Sequence, residues 1–173
     1  MTLPEEEFEV FDHAGVLLGL QARSTVHRVG LWHRSSQVFV FDDQGRLLLQ
    51  RRVAHKDLYP NLWDYSVGEH LQPGESHHEG ALRGLREELS ICGCELSPLG
   101  DIYRTELRGE TFCDREIQQA FSCTYSGPVE PEPEEVAQVR FVTRPALAAW
   151  LDSRPEEFTP WFRSALERFQ LLD

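Results

Sequence analysis

The densest group of side chains able to do chemistry is Glu75, Glu79, Arg83, Glu87 and Glu88. At 3.6 residues per turn, Glu79, Arg83 and Glu87 stand four apart on one stripe of a helix, with Glu88 beside it. Arg83 can pair with either neighbouring acid, and on that basis alone the stripe is a solvated face held by weak ion pairs. The adjacent carboxylates of Glu87 and Glu88 suggest more. Bare, they repel each other, whereas a hard divalent cation needs oxygen ligands and neutralises both. The stripe alone leaves a solvated charged face and a cation site equally open.

The elements that must position these groups can be read from periodicity. Ser76 to Leu89 is the clearest helix: Ala81, Leu82, Leu85 and Leu89 share one face, and Ser76 with Glu79 has the spacing of a capping box. Upstream, Phe8 to Phe11 and Val16 to Leu20 flank Asp12-His13-Ala14-Gly15 and read as a hairpin. Gln37 to Phe41 and Arg46 to Gln50 surround Asp42-Asp43-Gln44-Gly45 and read as a second. His55 to Gly74 reads as loop with a short strand near Asp64 to Val67. Strands are expected at Ile102 to Leu107, Glu116 to Tyr125 and Val139 to Val142, and helices near Arg144 to Leu151 and Phe158 to Phe169. Strands around one internal helix, with helices at the end, predict an α+β chain: an α/β/α sandwich of mixed sheet rather than a doubly wound parallel one.

Composition narrows the function classes. At 173 residues with 40% hydrophobic and 27% charged residues, the chain reads as a single globular domain over 1–173. A net charge of −12 disfavours a nucleic-acid polymer as partner but not a small phosphorylated molecule, because a cation and a few basic side chains can reverse the local potential. The acidic start and the lack of a long apolar stretch predict a cytoplasmic protein without a membrane partner. Cys92, Cys94, Cys113 and Cys123 do not look like a disulfide framework and read as free thiols. A homodimer is compatible with all of this, though nothing in the pattern requires one.

The segment from Gly68 to Ile91 resembles the signature of the Nudix hydrolase superfamily, with Glu75, Arg83, Leu85, Glu87, Glu88 and Ile91 at matching positions. The resemblance implies a loop–helix–loop that holds Mg²⁺ or Mn²⁺ against a diphosphate. Glu87 and Glu88 would be metal ligands, Glu75 would orient Arg83, and the Gly68 carbonyl would complete the site. Three positions depart from the signature: Glu69 and Ser90 stand where it has glycines, and Gly84 where it has a glutamate that in many members binds metal or activates water. A helical glycine costs about 1 kcal/mol relative to alanine, so Gly84 implies a need for space or simple drift.

A narrower resemblance, to the Nudix branch containing isopentenyl-diphosphate isomerase, covers nearly the whole chain. It rests on Arg51-Arg52, Lys56, Pro60, Trp63, Ser66 to His70, Gly74-Glu75-Ser76, Asp114-Arg115-Glu116 and Phe158-Thr159-Pro160-Trp161. Gly68 stands in place of that enzyme's catalytic cysteine and Gly84 in place of a diphosphate-binding arginine, so isomerisation by that route is expected to fail. His70 matches a metal-binding histidine, and His27 and His33 lie near the other two with spacing different by one residue. Because lone histidines more often serve as hydrogen-bonded structure, Glu116 is the stronger candidate, as a third carboxylate or the missing base assisted by Glu69. Arg51, Arg52 and Lys56 are candidate phosphate contacts, against the alternative of a solvated basic turn. Trp161 matches the aromatic that closes the isomerase pocket, or else anchors the last helix.

Together these readings predict a metal-dependent hydrolase of a small diphosphate, a nucleoside di- or triphosphate foremost. The alternatives are a ligand-binding domain that has lost turnover and, behind it, the isomerase.

Overall fold

The structure, a computed structural model, describes residues 5–172. Its strands are β1 (Glu7–Phe11), β2 (Leu17–Ala22), β3 (Trp32–Phe41), β4 (Leu47–Arg52), β5 (Trp63–Asp64), β6 (Val67–His70), β7 (Ser97–Arg108), β8 (Cys113–Thr124) and β9 (Val136–Val142). The helices are α1 (Arg23–Val29), α2 (His77–Leu89), α3 (Arg144–Ser153) and α4 (Pro160–Arg168), with a 3-10 turn at Pro155–Glu157. Each expected element is present, except that the one short strand expected near Asp64 to Val67 is two, β5 and β6, parted at Tyr65 and Ser66. The additional helix α1 has neither a side-chain N-cap at Ala22 nor an acid in its first turn, so it carries no start signal.

The sheet has two wings. In one, β3 pairs antiparallel with β6 on one side and parallel with β8 on the other, and β7 extends β8. In the other, β4 lies between β5 and β9, antiparallel to both. The β1–β2 hairpin joins through a single pairing of Phe11 with Trp32. The wings meet where β3 and β4 pair at Phe41 and Leu47, and from there the two strands diverge. Ser66 fills the gap: its hydroxyl accepts from the Val40 amide at 2.8 Å and donates to the Leu48 carbonyl at 2.6 Å.

Alternation along the strands sorts the core into two layers. Val38, Val40, Leu48, Phe121 and Cys123 face α2, where they meet Ala81, Leu85 and Leu89. Phe39, Leu47, Leu49 and Ala120 face the other way and pack on Leu147, Phe158, Phe162 and Leu166 of α3, α4 and the intervening turn. The result is the mixed-sheet α/β/α sandwich that the sequence predicts. No helix among the described residues is long and apolar enough to cross a membrane.

Alpha-2 begins as its sequence requires: Ser76 accepts from the Glu79 amide while the Glu79 carboxylate accepts from the Ser76 amide. The exposed Ser76 cap can be replaced by water, unlike the buried hydroxyl of Ser66. Ser66→Ala is therefore expected to destabilise the protein by about 2–4 kcal/mol, since it strands two buried backbone groups, and Ser76→Ala by about 1 kcal/mol. Urea unfolding of the two variants checks the order.

Candidate metal and diphosphate site

Arg83 organises one end of the site. Its Nε and Nη2 donate to the two oxygens of Glu75, both at 2.9 Å, and Nη2 also donates to the His70 carbonyl at 2.8 Å. Nη1 reaches Glu87 at 3.2 Å and Glu69 at 3.3 Å. The guanidinium thus ties α2 to the loop before it and to β6. Glu87 is half exposed at the rim, while Glu88 is buried and accepts from the Gln50 side chain at 2.7 Å. Burial pushes the Glu88 carboxyl up to about 8, aided by the neighbouring Glu69 charge and opposed by Gln50. Burial likewise raises Glu69 to about 7, against the pull of Arg83.

The structure gives Gly84 a reason. A Cβ there would stand 2.7 Å from Val67 Cγ1, 3.1 Å from Glu69 Cβ and 3.3 Å from Glu69 Oε2. Glycine lets α2 lie directly on β6, and the space a side chain would take is filled by Glu69. Space, not drift, accounts for the residue.

At the second end of the site the three histidines stand together. His27 from α1, His33 from β3 and His70 from β6 converge, with ring centroids 5.1 to 5.4 Å apart. Asp114 and Glu116 of β8 face them. Asp114 Oδ1 is 3.6 Å from His33 Nε2 and 3.8 Å from His27 Nε2, and Glu116 Oε1 is 3.6 Å from His70 Nε2. His33 Nδ1 lies 3.0 Å from the Leu31 carbonyl, which assigns its proton to Nδ1 and leaves Nε2 as a bare acceptor. Burial lowers His27 to about 4 and His33 to about 3, and holds His70 well below its ordinary value. All three rings are therefore neutral, as ligands must be. Burial raises Asp114 to about 6 and Glu116 well above the carboxylate range.

A divalent cation fits this group. His27 Nε2, His33 Nε2 and Asp114 Oδ1 are buried and have no hydrogen-bond partner. Their separations are too long for hydrogen bonds but suit donors that each stand about 2.1 Å from one ion. Trp161 donates to Asp114 Oδ2 at 2.9 Å and Gln118 donates to Glu116 Oε2 at 2.6 Å, outer contacts that fix the two carboxylates.

Two cavities join the ends. One, of about 50 Å³, is lined by His27, His70, Asp114, Glu116 and Trp161. The other, of about 320 Å³, is lined by Lys56, Arg83, Glu87 and Glu88. Arg23, Arg52, Gly68, Glu69 and His70 line both. Glu116 thus belongs with the histidines rather than beside Glu87 and Glu88. Arg52 points into the cleft and packs over Trp161, 5.5 Å from the ring centroid. Its neighbour Arg51, on the opposite face of β4, bonds the Asn61 carbonyl at 2.9 Å and lines neither cavity, which corrects its reading as a phosphate contact. Lys56 pairs with Glu135 at the rim. Sequence reasoning missed Arg23, which contacts Glu6, Asp57 and His70 Nδ1, each at 3.3 Å. Only its place at the end of β2 could have drawn attention to it.

The family model for the NUDIX domain matches residues 31–162. The chain belongs to the Nudix family. Its Nudix relatives include an isopentenyl-diphosphate Delta-isomerase of Burkholderia multivorans, 33% identical over 165 residues, 95% of this chain and 93% of the relative. An uncharacterized Nudix hydrolase of Yersinia pestis is 32% identical over 155 residues, 90% of this chain and 80% of the relative. A crystal structure from Deinococcus radiodurans superposes with a TM-score of 0.76 at 21% identity, covering 95% of this chain and 99% of that one, a likeness of fold.

Two outcomes test the geometry of this Nudix site. Gly84→Ala gains about 1 kcal/mol of helix propensity, but the contact with Val67 outweighs it, so its thermal midpoint is expected to fall. The second concerns pH in EDTA. Glu88 has a raised pKa, so the stability tied to its proton is complete below about 4.5 and is lost as pH rises through about 8. His27 and His33, with lowered values, act only below about 6.5. Urea unfolding should therefore show stability falling between pH 6.5 and 8, and Glu88→Gln, which can still accept from Gln50, should remove about 1–2 kcal/mol of that fall.

Proposed function

We propose that this protein is a metal-dependent pyrophosphohydrolase acting on a small diphosphate, a nucleoside di- or triphosphate foremost. The observation that carries the reading is the joining, in one cleft, of a cation-compatible cluster of histidines with Asp114 and Glu116 to the Glu87–Glu88 pair and to Arg23, Arg52 and Lys56. Imidazoles with Asp114 and Glu116 suit a transition-metal ion, whereas the oxygen-only group of Glu87, Glu88 and the Gly68 carbonyl suits Mg²⁺ or Mn²⁺.

When bound, such cations neutralise phosphate charge and polarise the phosphorus toward attack. The chain's own groups do the rest. Arg52 and Arg23 offer planar forks to phosphate oxygens, and Lys56 offers a point charge. Arg52 is steadied by Asp64 at 3.6 Å and by the Leu58 carbonyl, so its position is set before substrate arrives. Trp161, edge-on to Tyr59 with ring centroids 5.0 Å apart, walls the histidine end and limits its water.

A second reading is isopentenyl-diphosphate isomerisation, favoured by the Burkholderia relative's name and coverage. Against it stands Gly68. A Cβ there would come within 2.5 Å of Tyr65, so the chain offers no side chain from that position. The third, a binder without turnover, rests on Gly84, whose packing role leaves that position without the signature's glutamate.

The deciding measurement is release of phosphate or mononucleotide from nucleoside di- and triphosphates, dinucleoside polyphosphates and nucleotide sugars with Mg²⁺ or Mn²⁺. Release that Glu88→Gln lowers by about 100-fold or more is the expected result. Activity untouched by that substitution would count against the reading, and conversion of isopentenyl diphosphate to its dimethylallyl isomer would establish the second.

A further inference from the structure

Glu69 is the only carboxylate among the described residues that lines both cavities. Asp114 and Glu116 are confined to the histidine end, and Glu87 and Glu88 to the α2 end. A diphosphate with one phosphoryl group at each end has Glu69 beside the bond between them. Its side chain lies across Gly84, and its carboxylate is held by Arg83 at 3.3 Å. Arg83 does not depend on it, being clasped by both oxygens of Glu75 and by the His70 carbonyl. Arg83 therefore keeps its place without Glu69, whose contact with it is the single ion pair at 3.3 Å.

Building on the hydrolase reading above, we infer that Glu69 is the general base of this protein, delivered from β6 into the space that Gly84 keeps open. In the step, the Glu69 carboxylate takes a proton from water as the water oxygen forms a bond to phosphorus. The bridging P–O bond breaks, and its electron pair leaves with the departing phosphate. That phosphate, or solvent, later receives the proton from Glu69. No oxidant, reductant or further reactant is needed.

The test uses the full chain and the best substrate of the panel, with the same divalent cation throughout. Glu69→Gln is expected to keep the wild-type fold by circular dichroism and to lower kcat by 100-fold or more, with KM changed by less than about threefold. Glu69→Gly opens a hole at the junction, and added formate is expected to restore turnover with saturable dependence. A kcat for Glu69→Gln within threefold of wild type would overturn the assignment while leaving the hydrolase intact. So would a loss expressed in KM alone, or one that formate does not relieve, since the residue would then be a prop for Arg83. Wild-type protein inert toward the whole panel would remove both the hydrolase and its base.

Discussion

The approach of α2 to β6 is the contact on which the rest of the site depends. It is made close by Gly84, whose missing side chain admits Val67 and Glu69, and made rigid by Arg83, which binds Glu75, the His70 carbonyl, Glu69 and Glu87 at once. A bidentate carboxylate–guanidinium pair fixes orientation as well as distance. Once the helix is clamped there, Leu85 and Leu89 must face the sheet core and Glu88 must turn inward toward Gln50. Burial of Glu88 follows from the clamp rather than from any preference of the carboxylate for the interior.

That burial creates an electrostatic problem the chain does not solve alone. Glu88, Asp114 and Glu116 lose water without gaining a full ion pair, and the three imidazoles beside them are held neutral. Buried ionisable groups of this kind reduce stability unless paired or metallated. The cost is concentrated along one cleft, where the cations Arg23, Arg52 and Lys56 also gather despite a net charge of −12. Uncompensated polar atoms collected in one place are what a site built for a cation and an anion together requires.

Short-range features were legible from sequence because their physics is local. The helix from Ser76, its capping box, the Arg83–Glu87 pair and both hairpins follow from spacings of a few residues, whereas the Glu75–Arg83 pair was implied only by the family resemblance. The histidine group was not legible as a whole. His27, His33, His70, Asp114 and Glu116 come from four separate elements, and only the β3–β6 and β3–β8 pairings bring three of those elements into register. Alpha-1, which brings His27, consists of RSTVHRV, with β-branched residues and no cap, so tertiary contacts rather than propensity make it a helix. Arg51 was misplaced although β4 was recognised, because two-residue alternation allows only one of two adjacent arginines to face the cleft.

The divergence of β3 from β4 joins these parts. Ser66 bridges the two strands where they part, satisfying the backbone groups exposed by the split. Closure of the far side falls to α4. Thr159 donates to the buried Asp64 at 2.8 Å and caps the Phe162 amide at 3.1 Å, so the start of α4 is fixed to β5. Asp64 in turn stands 3.6 Å from Arg52, and Trp161, two residues beyond Thr159, reaches Asp114. One short helix start therefore sets Arg52 on one side of the cleft and Asp114 on the other. A shift of α4 must move both together, which couples Arg52 to Asp114 through the Thr159–Asp64 and Trp161–Asp114 hydrogen bonds and the Arg52–Asp64 ion pair.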